Sequence, residues 1–432
     1  MSGRGERRIA IPALARLSGR CGLDLAIEGD RVAALALCVG ETPRLFEKLL
    51  EGHDCEQVVD LVARVCGLCP VAHQLAAVQA FERLCGVEPT PWVRAMRRVA
   101  ALGEWLQNHA LHVHLVAAPD YLGGGSVPDV AARHPALLAR GLSLQSVGAA
   151  LVRLLGGRST HPVALKVGGF HHAPAPAEVA AVSRRVAAAI PEAEALVHWV
   201  GALPFPGEQQ PFTSVALGHP SEYAVGEGRL QSGDGLDIAA AHFEEHFEPV
   251  VVPHSTALHW LLDRRPYLVG PLARLNLNFR ELPAGVRAAM NALPVALPSH
   301  NTFHGLVARA LEMLLALHEA RRLLDEYEPP VTPCVAAAPV AGSAVAAVEA
   351  PRGLLWHRYE VDRQGHVRQA RIVTPTAQNQ ARCEEDLRVA LEEFGLDRED
   401  DALREYAERI VRGYDPCLPC AAHCLDLRVA RR

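Results

Sequence analysis

"RVCGLCPVAH", residues 64–73, places two cysteines three positions apart, with a proline and then a histidine close behind them. Near the other end of the chain, "DPCLPCAAH", residues 415–423, repeats almost the same arrangement. A Cys-x-x-Cys pair that leads into a helix lets both sulfurs face one point, while the helix N-terminus stabilises their thiolates. Two such pairs predict a four-sulfur site, which suits a soft metal: zinc, an iron–sulfur centre or nickel.

The separation of the two cysteine pairs along the chain bears on the domain organisation. Spacing within each pair favours a structural zinc site, but zinc ribbons usually separate their pairs by roughly 12–20 residues. Here the gap runs from Cys69 to Cys417. A metal held by both pairs must therefore join the two ends of one core, and we expect a single domain rather than separate domains at the two ends.

Composition excludes several functional classes. Half of the 432 residues are hydrophobic, which is enough for a sizeable core. A net charge of -6 gives no basic surface for nucleic acid. No apolar run reaches the roughly 18 residues of a membrane span, and the N-terminal stretch lacks the apolar segment of a signal peptide. Eleven cysteines, an odd number, favour reduced thiols, so we expect a globular cytoplasmic protein.

Helical periodicity dominates the chain, which predicts an α+β fold that is predominantly α. Helices are predicted at 44–52, 55–65, 70–86, 93–118, 141–157, 177–200, 301–326 and 383–395. Residues 23–39 predict two strands around a Gly29–Asp30 turn, and 354–375 predict a hairpin. The segment 331–353, rich in small residues, is predicted to be a loop packed tightly against its neighbours. Minor antiparallel sheet is thus expected at both ends.

The context of the cysteines closely resembles the large subunit of nickel–iron hydrogenases. The matching patterns are Arg64-x-Cys66-Gly-x-Cys69-x-x-x-His73 and Asp415-Pro-Cys417-x-x-Cys420-x-x-His423, with "HALHVHLVAAPDYLG" (109–123), "HPVALKVGGF" (161–170), "EAPRGLLWH" (349–357) and "VTPTAQNQ" (373–380) between them in the family's order. The residues of these segments are most similar to those of the cytoplasmic, multisubunit branch of the family, which is linked to NAD(P) or another soluble coenzyme. The resemblance implies one large-subunit domain over 1–423, with a central helical bundle and small antiparallel sheets.

Carried over residue by residue, the resemblance implies a nickel–iron centre. Cys66 and Cys417 would be terminal ligands of nickel, and Cys69 and Cys420 would bridge nickel to an iron that carries carbon monoxide and cyanide. Nickel with an open position beside iron can polarise dihydrogen as a Lewis acid. The implied function is that of a catalytic subunit that cleaves dihydrogen reversibly into protons and electrons.

The same resemblance assigns roles to residues around the cysteines. Arg352 would hang over the open coordination site as base or electrostatic partner, with Asp415 and Asp120 to orient it, because carboxylates pair well with a guanidinium fork. Pro351 would help to wall the pocket, and Thr376 would donate a hydrogen bond to a cyanide ligand.

Histidines and a magnesium site complete the implied surroundings. His73 would hydrogen-bond a cysteine sulfur and so tune the metal, whereas at least two of the three histidines in 109–114 are expected to be structural. Glu47, the backbone carbonyl of Ile372 and His423 would bind a hydrated magnesium ion near the C-terminus.

One position departs from the family. Its usual Arg-x-Glu-Gly-His signature, whose glutamate passes protons from a nickel cysteine, is here "RLSGR", residues 16–20, with Ser18 at the proton-relay position and Arg20 in place of histidine. A hydroxyl can relay a proton but cannot hold one as a carboxylate can. Either another exit exists or turnover is slow, as in a hydrogen sensor or low-activity homologue. A non-catalytic scaffold related to a respiratory complex I subunit is the third alternative.

The resemblance also implies partners. The only cluster-binding spacing in the chain is that of the four cysteines, so electrons would leave through an iron–sulfur small subunit, and flavin- and nicotinamide-binding diaphorase-type subunits are plausible beyond it. Nickel-insertion chaperones and a maturation endopeptidase are implied as well. The nine residues "CLDLRVARR", 424–432, are interpreted as the peptide that this protease removes, with a permanent tail as the alternative.

Overall fold

A computed structural model of the chain describes residues 7–207 and 209–422. Two predictions, His423 as a magnesium ligand and 424–432 as a maturation peptide, therefore lie outside the described residues. Within the described ranges, helices alternate with small antiparallel sheets, which are present in the middle of the chain as well as at both ends.

The bounds of the elements are as follows. The α-helices are α1 Phe46–Leu49, α2 Cys55–Val62, α3 Pro70–Cys85, α4 Pro91–Leu111, α5 Val127–Arg133, α6 Pro135–Gly156, α7 Pro176–Gly201, α8 Phe243–His246, α9 Pro271–Asn278, α10 Ala284–Asn291, α11 Gly305–Asp325, α12 Pro375–Phe394, α13 Asp400–Tyr414 and α14 Leu418–Ala421. The strands are β1 Arg7–Ile11, β2 Cys21–Glu28, β3 Arg31–Val39, β4 Leu165–Lys166, β5 Gly169–Phe170, β6 Val215–Gly218, β7 Arg229–Ser232, β8 Asp237–Ile238, β9 Phe247–Val250, β10 His259–Leu262, β11 Gly342–Ala350, β12 Gly353–Val361 and β13 Val367–Val373.

The N-terminal hairpin confirms the strand prediction for 23–39. β2 pairs antiparallel with β3, and β1, which the sequence pattern does not reveal, adds a third strand along β2. The outer edge of β3 does not remain open, because two of its backbone N–H groups donate to carboxylates of α12. Val32 donates to Glu392 at 2.9 Å and Leu37 to Glu384 at 2.8 Å. This helix therefore covers an edge that would otherwise invite further pairing.

The central helices α3, α4, α6, α7 and α11 pack into one buried cluster, as predicted for a helical bundle. Helices α4 and α6 approach closely because glycines face each other at the crossing. A Cβ added at Gly103 would lie 2.7 Å from the Cβ of Leu151, and one added at Gly148 would lie 2.6 Å from the backbone N of Gln107. Glycine is thus required at both positions for the two helix backbones to pack in contact.

Helix α6 is the one helix among the described residues that could cross a membrane by length and composition. It packs on α4 and α7 as a core helix does, and core helices pass the same test.

The prediction of a loop at 331–353 is wrong for its second half, which forms β11. This strand pairs with β12 along its whole length and packs against α3. Its sequence, "GSAVAAVEA", shows no alternation of large apolar and polar residues. Small side chains let the strand lie close to the helix, and the same small side chains hide it from a search for period-two hydrophobicity.

Three buried histidines follow one another at the end of α4 and do not contact the cysteines. Nε2 of His109 lies 2.9 Å from Glu312, Nε2 of His112 donates to the carbonyl of Arg412 at 2.8 Å, and Nδ1 of His114 donates to the carbonyl of Ala110 at 2.8 Å. The expectation that at least two of them are structural agrees with these contacts. From His112 to Ala117 the helix widens into a π-helical turn.

These histidines predict a loss of stability in mild acid. Burial lowers the pKa of His109 and of His114 to about 4 and that of His112 to about 3. Between pH 6.5 and pH 4 these histidines are protonated in the unfolded chain but stay neutral in the folded chain. The free energy of unfolding therefore falls as the pH drops through this range, by up to about 1.4 kcal/mol per pH unit for each histidine. The urea midpoint measured between pH 7 and pH 5 should fall accordingly.

Two variants test whether a buried histidine causes this loss of stability in acid. His114→Asn should flatten the pH dependence, whereas replacement of the exposed His171 by asparagine should leave it unchanged. An equally steep fall in the midpoint of His114→Asn would contradict the assignment.

Candidate metal centre

The first cysteine pair lies in a turn that ends where α3 begins. Pro70 occupies the first turn of this helix, as predicted, and Cys69 stands at its N-cap. The sulfur of Cys66 accepts hydrogen bonds from the backbone N–H of Leu68 at 3.3 Å and of Cys69 at 3.2 Å. Both cysteines are almost completely buried.

The second pair comes from the C-terminal end and meets the first. Sγ of Cys66 lies 3.7 Å from Sγ of Cys417, and the sulfurs of Cys66, Cys69 and Cys420 all lie within 4.8 Å of one another. Sulfurs that share one metal ion at about 2.3 Å lie about 3.8 Å apart in a tetrahedral arrangement. The sulfurs of Cys417 and Cys420 are paired with each other, and both must be separate thiolates to bind metal. The donor set and its spacing fit a thiolate-held centre.

The electrostatics of the first pair favour one thiolate. Burial alone would raise the pKa of Cys66, but the hydrogen bond with Cys69, the positive charge of Arg352 and two backbone N–H groups lower it to about 7. The pKa of Cys69 is raised well above its usual value, first because it shares its proton with Cys66 and then because it is buried. The pair therefore holds one negative charge readily and two only with further positive charge, such as a metal supplies.

Arg352 lies beside the cysteines with its guanidinium fixed on several sides. Its Nε donates to the carbonyl of Asp415 at 2.7 Å, and its Nη2 donates to Oδ1 of the same residue at 3.1 Å. Nη1 donates to Oδ1 of Asn108 at 3.1 Å. Burial would raise the pKa of Asp415, but Arg352 holds it below its ordinary value. The preceding residue, Pro351, uses its carbonyl to accept a hydrogen bond from Arg274 at 3.0 Å.

Asn108 is a site residue that the sequence analysis missed. While its Oδ1 accepts from Arg352, its Nδ2 donates to the carbonyls of Leu68 and Glu104. Asn108 therefore ties the cysteine loop to the arginine. In the sequence, the only available signal for this role was a polar amide among the apolar residues of α4, directly before "HALHVH". An asparagine at such a position is equally compatible with a structural role, so the signal was not sufficient.

The prediction that Asp120 orients Arg352 is wrong. Asp120 pairs instead with Arg412, at 2.8 Å to each carboxylate oxygen, and with Arg16. The π-helical turn at His112–Ala117 shifts the faces of the residues after it, so that Asp120 meets α13 and the N-terminal segment. Its role is to join these two segments.

Glu104 is a second residue that the sequence analysis missed. It is almost completely buried, and its carboxylate accepts from the backbone N–H of Val71 at 2.6 Å and of Ala72 at 3.1 Å. These are donors in the first turn of α3 that no backbone carbonyl can satisfy. Burial raises the pKa of Glu104 well above its usual value. Glu104 thereby fixes the start of the helix that carries Cys69.

Ser18 lies beside the second cysteine pair. Its backbone forms an isolated parallel bridge with Cys417, and the N–H of Leu418 donates to its carbonyl at 3.0 Å. The carboxylate of Glu41 is close by, because a Cβ added at Gly19 would lie 2.7 Å from its Oε1. A serine and a nearby carboxylate thus lie close to Cys417, and the proton-relay role of Ser18 stays a prediction.

The remaining candidates have the following contacts. The hydroxyl oxygen of Thr376 accepts from the N–H of Cys417 at 3.0 Å, which places this threonine at the second cysteine pair. Nδ1 of His73 lies 3.1 Å from Nε2 of His357, whose Nδ1 lies 2.7 Å from the hydroxyl of Tyr359. A bond from His73 to a cysteine sulfur stays a prediction.

Two of the predicted magnesium ligands are adjacent. The N–H of Ile372 donates to Oε1 of Glu47 at 2.8 Å. The N–H of Arg44 donates to the carbonyl of Ala422 at 3.0 Å, so the last described residue of the chain lies beside the segment that leads into α1. The segment that leads into the helix of Glu47 therefore contacts Ala422, the last described residue.

Sequence comparison identifies the family to which this four-cysteine arrangement belongs. The model of the family described as "Nickel-dependent hydrogenase" matches residues 44–146 and 261–423, more than half of the chain, with all four cysteines included. The chain belongs to the nickel-dependent hydrogenase family. This confirms the resemblance drawn from the cysteine motifs, and the hydrogenase is thereby an enzyme of the nickel-binding, catalytic large-subunit class.

Curated relatives agree with this assignment. The hydrogenase is 30% identical over 423 residues to sulfhydrogenase 1 subunit alpha of Pyrococcus furiosus, with 97% of this chain and 98% of the relative covered. It is 25% identical over 473 residues to the NAD-reducing hydrogenase HoxS subunit beta of Cupriavidus necator, with 97% and 95% covered. Both are subunits of hydrogenases.

A solved structure confirms the fold class. The hydrogenase matches the crystal structure of an NAD+-reducing NiFe hydrogenase in the H2-reduced state with a TM-score of 0.88 and 27% identity, covering 96% of this chain and 99% of the other. The predicted mixture of a helical bundle with small antiparallel sheets is therefore that of nickel–iron hydrogenase large subunits.

Proposed function

We propose that this hydrogenase cleaves dihydrogen heterolytically and reversibly at a nickel–iron centre held by the four cysteines, and passes the electrons to an iron–sulfur small subunit. The observation that carries the proposal is the meeting of two cysteine pairs from opposite ends of the chain directly beside a buried arginine. When bound, the centre would supply Lewis-acid polarisation of dihydrogen.

The cysteines would divide the metal between them as in the family. Cys66 and Cys417 would be terminal to nickel, and Cys69 and Cys420 would bridge nickel and an iron that carries carbon monoxide and cyanide. The contact of Thr376 with the backbone of Cys417 supports a role for its hydroxyl in holding one cyanide.

Arg352 would hold positive charge over the reacting molecule. Its three hydrogen bonds to Asp415 and Asn108 fix the guanidinium before dihydrogen arrives, so little reorganisation is needed during the reaction. Pro351 would wall the same pocket, and burial of the arginine keeps bulk water away from its charge.

A magnesium ion would stabilise the region where α1 meets the C-terminal end. Glu47 would supply a carboxylate oxygen, Ile372 its carbonyl and His423 an imidazole. The adjacency of Glu47 and Ile372, and the approach of Ala422 to Arg44, support this set.

Partners follow from the need to move electrons. Relatives are named as alpha or beta subunits, which supports assembly with a separate iron–sulfur small subunit. The name of the NAD-reducing relative supports a nicotinamide-binding diaphorase-type subunit beyond it. A flavin-binding subunit and a cytoplasmic location are part of the same proposal. Nickel-insertion chaperones and an endopeptidase that removes 424–432 would complete maturation.

Metal content tests the proposal most directly. This chain, purified from its own host and separated from the iron–sulfur subunit, should contain nickel and iron in equal amounts, and the intact complex should reduce a viologen dye with dihydrogen. Zinc in place of nickel at the cysteines, or dye reduction without nickel, would overturn it.

Proton exit provides a finer prediction. Ser18→Glu should raise hydrogen–deuterium exchange several-fold, on the order of 10-fold at most, if proton transfer from the cysteines limits that reaction, because a carboxylate can hold the proton that a hydroxyl only relays. Glu41 beside Gly19 is the alternative carrier. The measurement is isotope exchange in the gas phase above the enzyme.

The matched control is Ser221→Glu, at an exposed serine, which should leave exchange unchanged. Equal exchange in wild type and Ser18→Glu, with unchanged nickel content, would mean that protons already leave by another route.

A further inference from the structure

A second group of metal-binding side chains lies apart from the four cysteines. His254 in the loop after β9, His259 at the start of β10 and Glu384 in α12 each offer a ligand atom, and these atoms all lie within 4.8 Å of one another. Glu384 is eight residues along α12 from Thr376, a rise of about 12 Å, which separates the group from the cysteine site.

The distances within the group suit a small cation. Nε2 of His254 lies 2.8 Å from Oε1 of Glu384, and Nδ1 of His259 lies 4.0 Å from Oε2 of the same carboxylate. Ligands bound at about 2.1 Å in a tetrahedral site lie about 3.4 Å apart. One of these two separations is shorter than that value and the other is longer, and all three ligand atoms lie within 4.8 Å of one another, so modest side-chain shifts would bring them onto one ion.

The environment of His259 points to a ligand rather than to an ordinary core histidine. Only 4% of it is exposed, yet its Nδ1 lies 4.0 Å from the carboxylate of Glu384, too far for a hydrogen bond. The hydrogen bond between His254 and Glu384 alone would not explain why a second imidazole is held against them.

We propose that Nε2 of His254, Nδ1 of His259 and the carboxylate of Glu384 bind one zinc ion. Two imidazoles and one carboxylate are a zinc donor set, whereas magnesium prefers oxygen ligands throughout. The side chains of His254 and Glu384 remain 24% and 19% exposed, which leaves room for water as the fourth ligand. This site does not depend on the proposed nickel–iron chemistry.

The ion would join three parts of the fold. Glu384 also accepts the backbone N–H of Leu37 at the edge of β3, and Thr256, between the two histidines, donates to the carbonyl of Val39. Zinc at this point would hold the N-terminal sheet and the β9–β10 hairpin against α12. The first turn of the same helix contacts Cys417.

The test is elemental analysis of the assembled enzyme, purified without a polyhistidine tag, as wild type, His259→Ala and Glu384→Gln. Wild type should carry one zinc per chain in addition to nickel and iron, and both variants should lose it by at least tenfold with nickel and iron unchanged. His242→Ala is the control, because His242 also pairs with a glutamate, at 2.7 Å from Glu245, but lies exposed and outside the metal-binding group. Glu384→Gln keeps the size and an acceptor for Leu37, so it guards against misfolding.

Three results would overturn the proposal: no zinc in wild-type enzyme from zinc-supplemented cells, zinc retained in Glu384→Gln, or zinc lost equally in His242→Ala. X-ray absorption at the zinc edge adds an independent criterion. Nitrogen and oxygen neighbours are expected, and a shell of sulfur would place the zinc at the cysteines instead.

Discussion

Cys420→Ser is expected to remove hydrogen uptake completely, with the nickel and iron bound by this chain both below about a tenth of the wild-type content. The four sulfurs converge on one point, so each supplies a substantial part of the binding energy. A serine oxygen is harder than sulfur and keeps its proton at neutral pH, so it cannot replace a bridging thiolate. Because serine is nearly the same size, the helical circular dichroism should persist.

Cys85→Ser is the matched control for this variant. Cys85 is half-buried and is the last residue of α3, the helix that begins directly after Cys69. Its sulfur is not one of those that lie together at the candidate metal centre. This variant should retain metal and activity. Full hydrogen uptake by Cys420→Ser would refute the role of Cys420 in the centre, whatever its metal content.

Arg352→Lys is expected to lower hydrogen-dependent dye reduction by about 10²- to 10³-fold, the cost of removing one preorganised charge from an active site. Arg352 forms hydrogen bonds with Asp415 and Asn108 through a planar fork. Lysine keeps the charge but presents it as a point on a flexible stem, so it cannot make the same bonds together. Nickel and iron should remain, since Arg352 is not a ligand.

Two measurements separate this effect from a general loss of stability. Arg321→Lys changes an exposed arginine in the same way and should leave activity intact. The infrared bands expected from the proposed carbon monoxide and cyanide ligands of iron should persist in Arg352→Lys, at shifted frequencies. Wild-type turnover in Arg352→Lys would show that the guanidinium takes no part in the reaction.

The sequence was sufficient to predict the cysteine site because its motifs are local. Cys66 and Cys69 are set by one turn and the helix after it, and the same holds for Cys417 and Cys420. The two pairs together predicted a four-sulfur site, and the family resemblance then supplied the identity of the metals and the role of each cysteine.

The misassigned and missed residues depend on geometry that no local pattern carries. Asp120 could not be placed because a π-helical turn lies between it and the end of α4. Asn108 was missed because its function is visible only once Arg352 and Leu68 are seen on either side of it. The pairing of β11 was hidden by small side chains that suit close packing.

Buried ion pairs are a further feature of the fold that the sequence alone could not predict. Arg274, fully buried, pairs with Glu312 at 2.7 Å and with Glu349 at 3.0 Å, so one guanidinium joins α9, α11 and β11. Burial would raise the pKa of Glu312, but Arg274 lowers it to about 2. In the sequence, these three residues look like ordinary polar positions of helices and strands, because their burial arises only from the assembled fold.

The derivation of the cysteine site from both ends of the chain has a consequence for synthesis. Cys66 and Cys417 are 351 residues apart, so at about 5–20 residues per second the ribosome needs roughly 20–70 s to make the second after the first. During that interval the thiols of Cys66 and Cys69 exist without the other two cysteines, and they can be oxidised or can bind another metal. The complete set of ligands exists only after Cys420 has been synthesised, so a centre that needs all four thiolates can be completed only after that point.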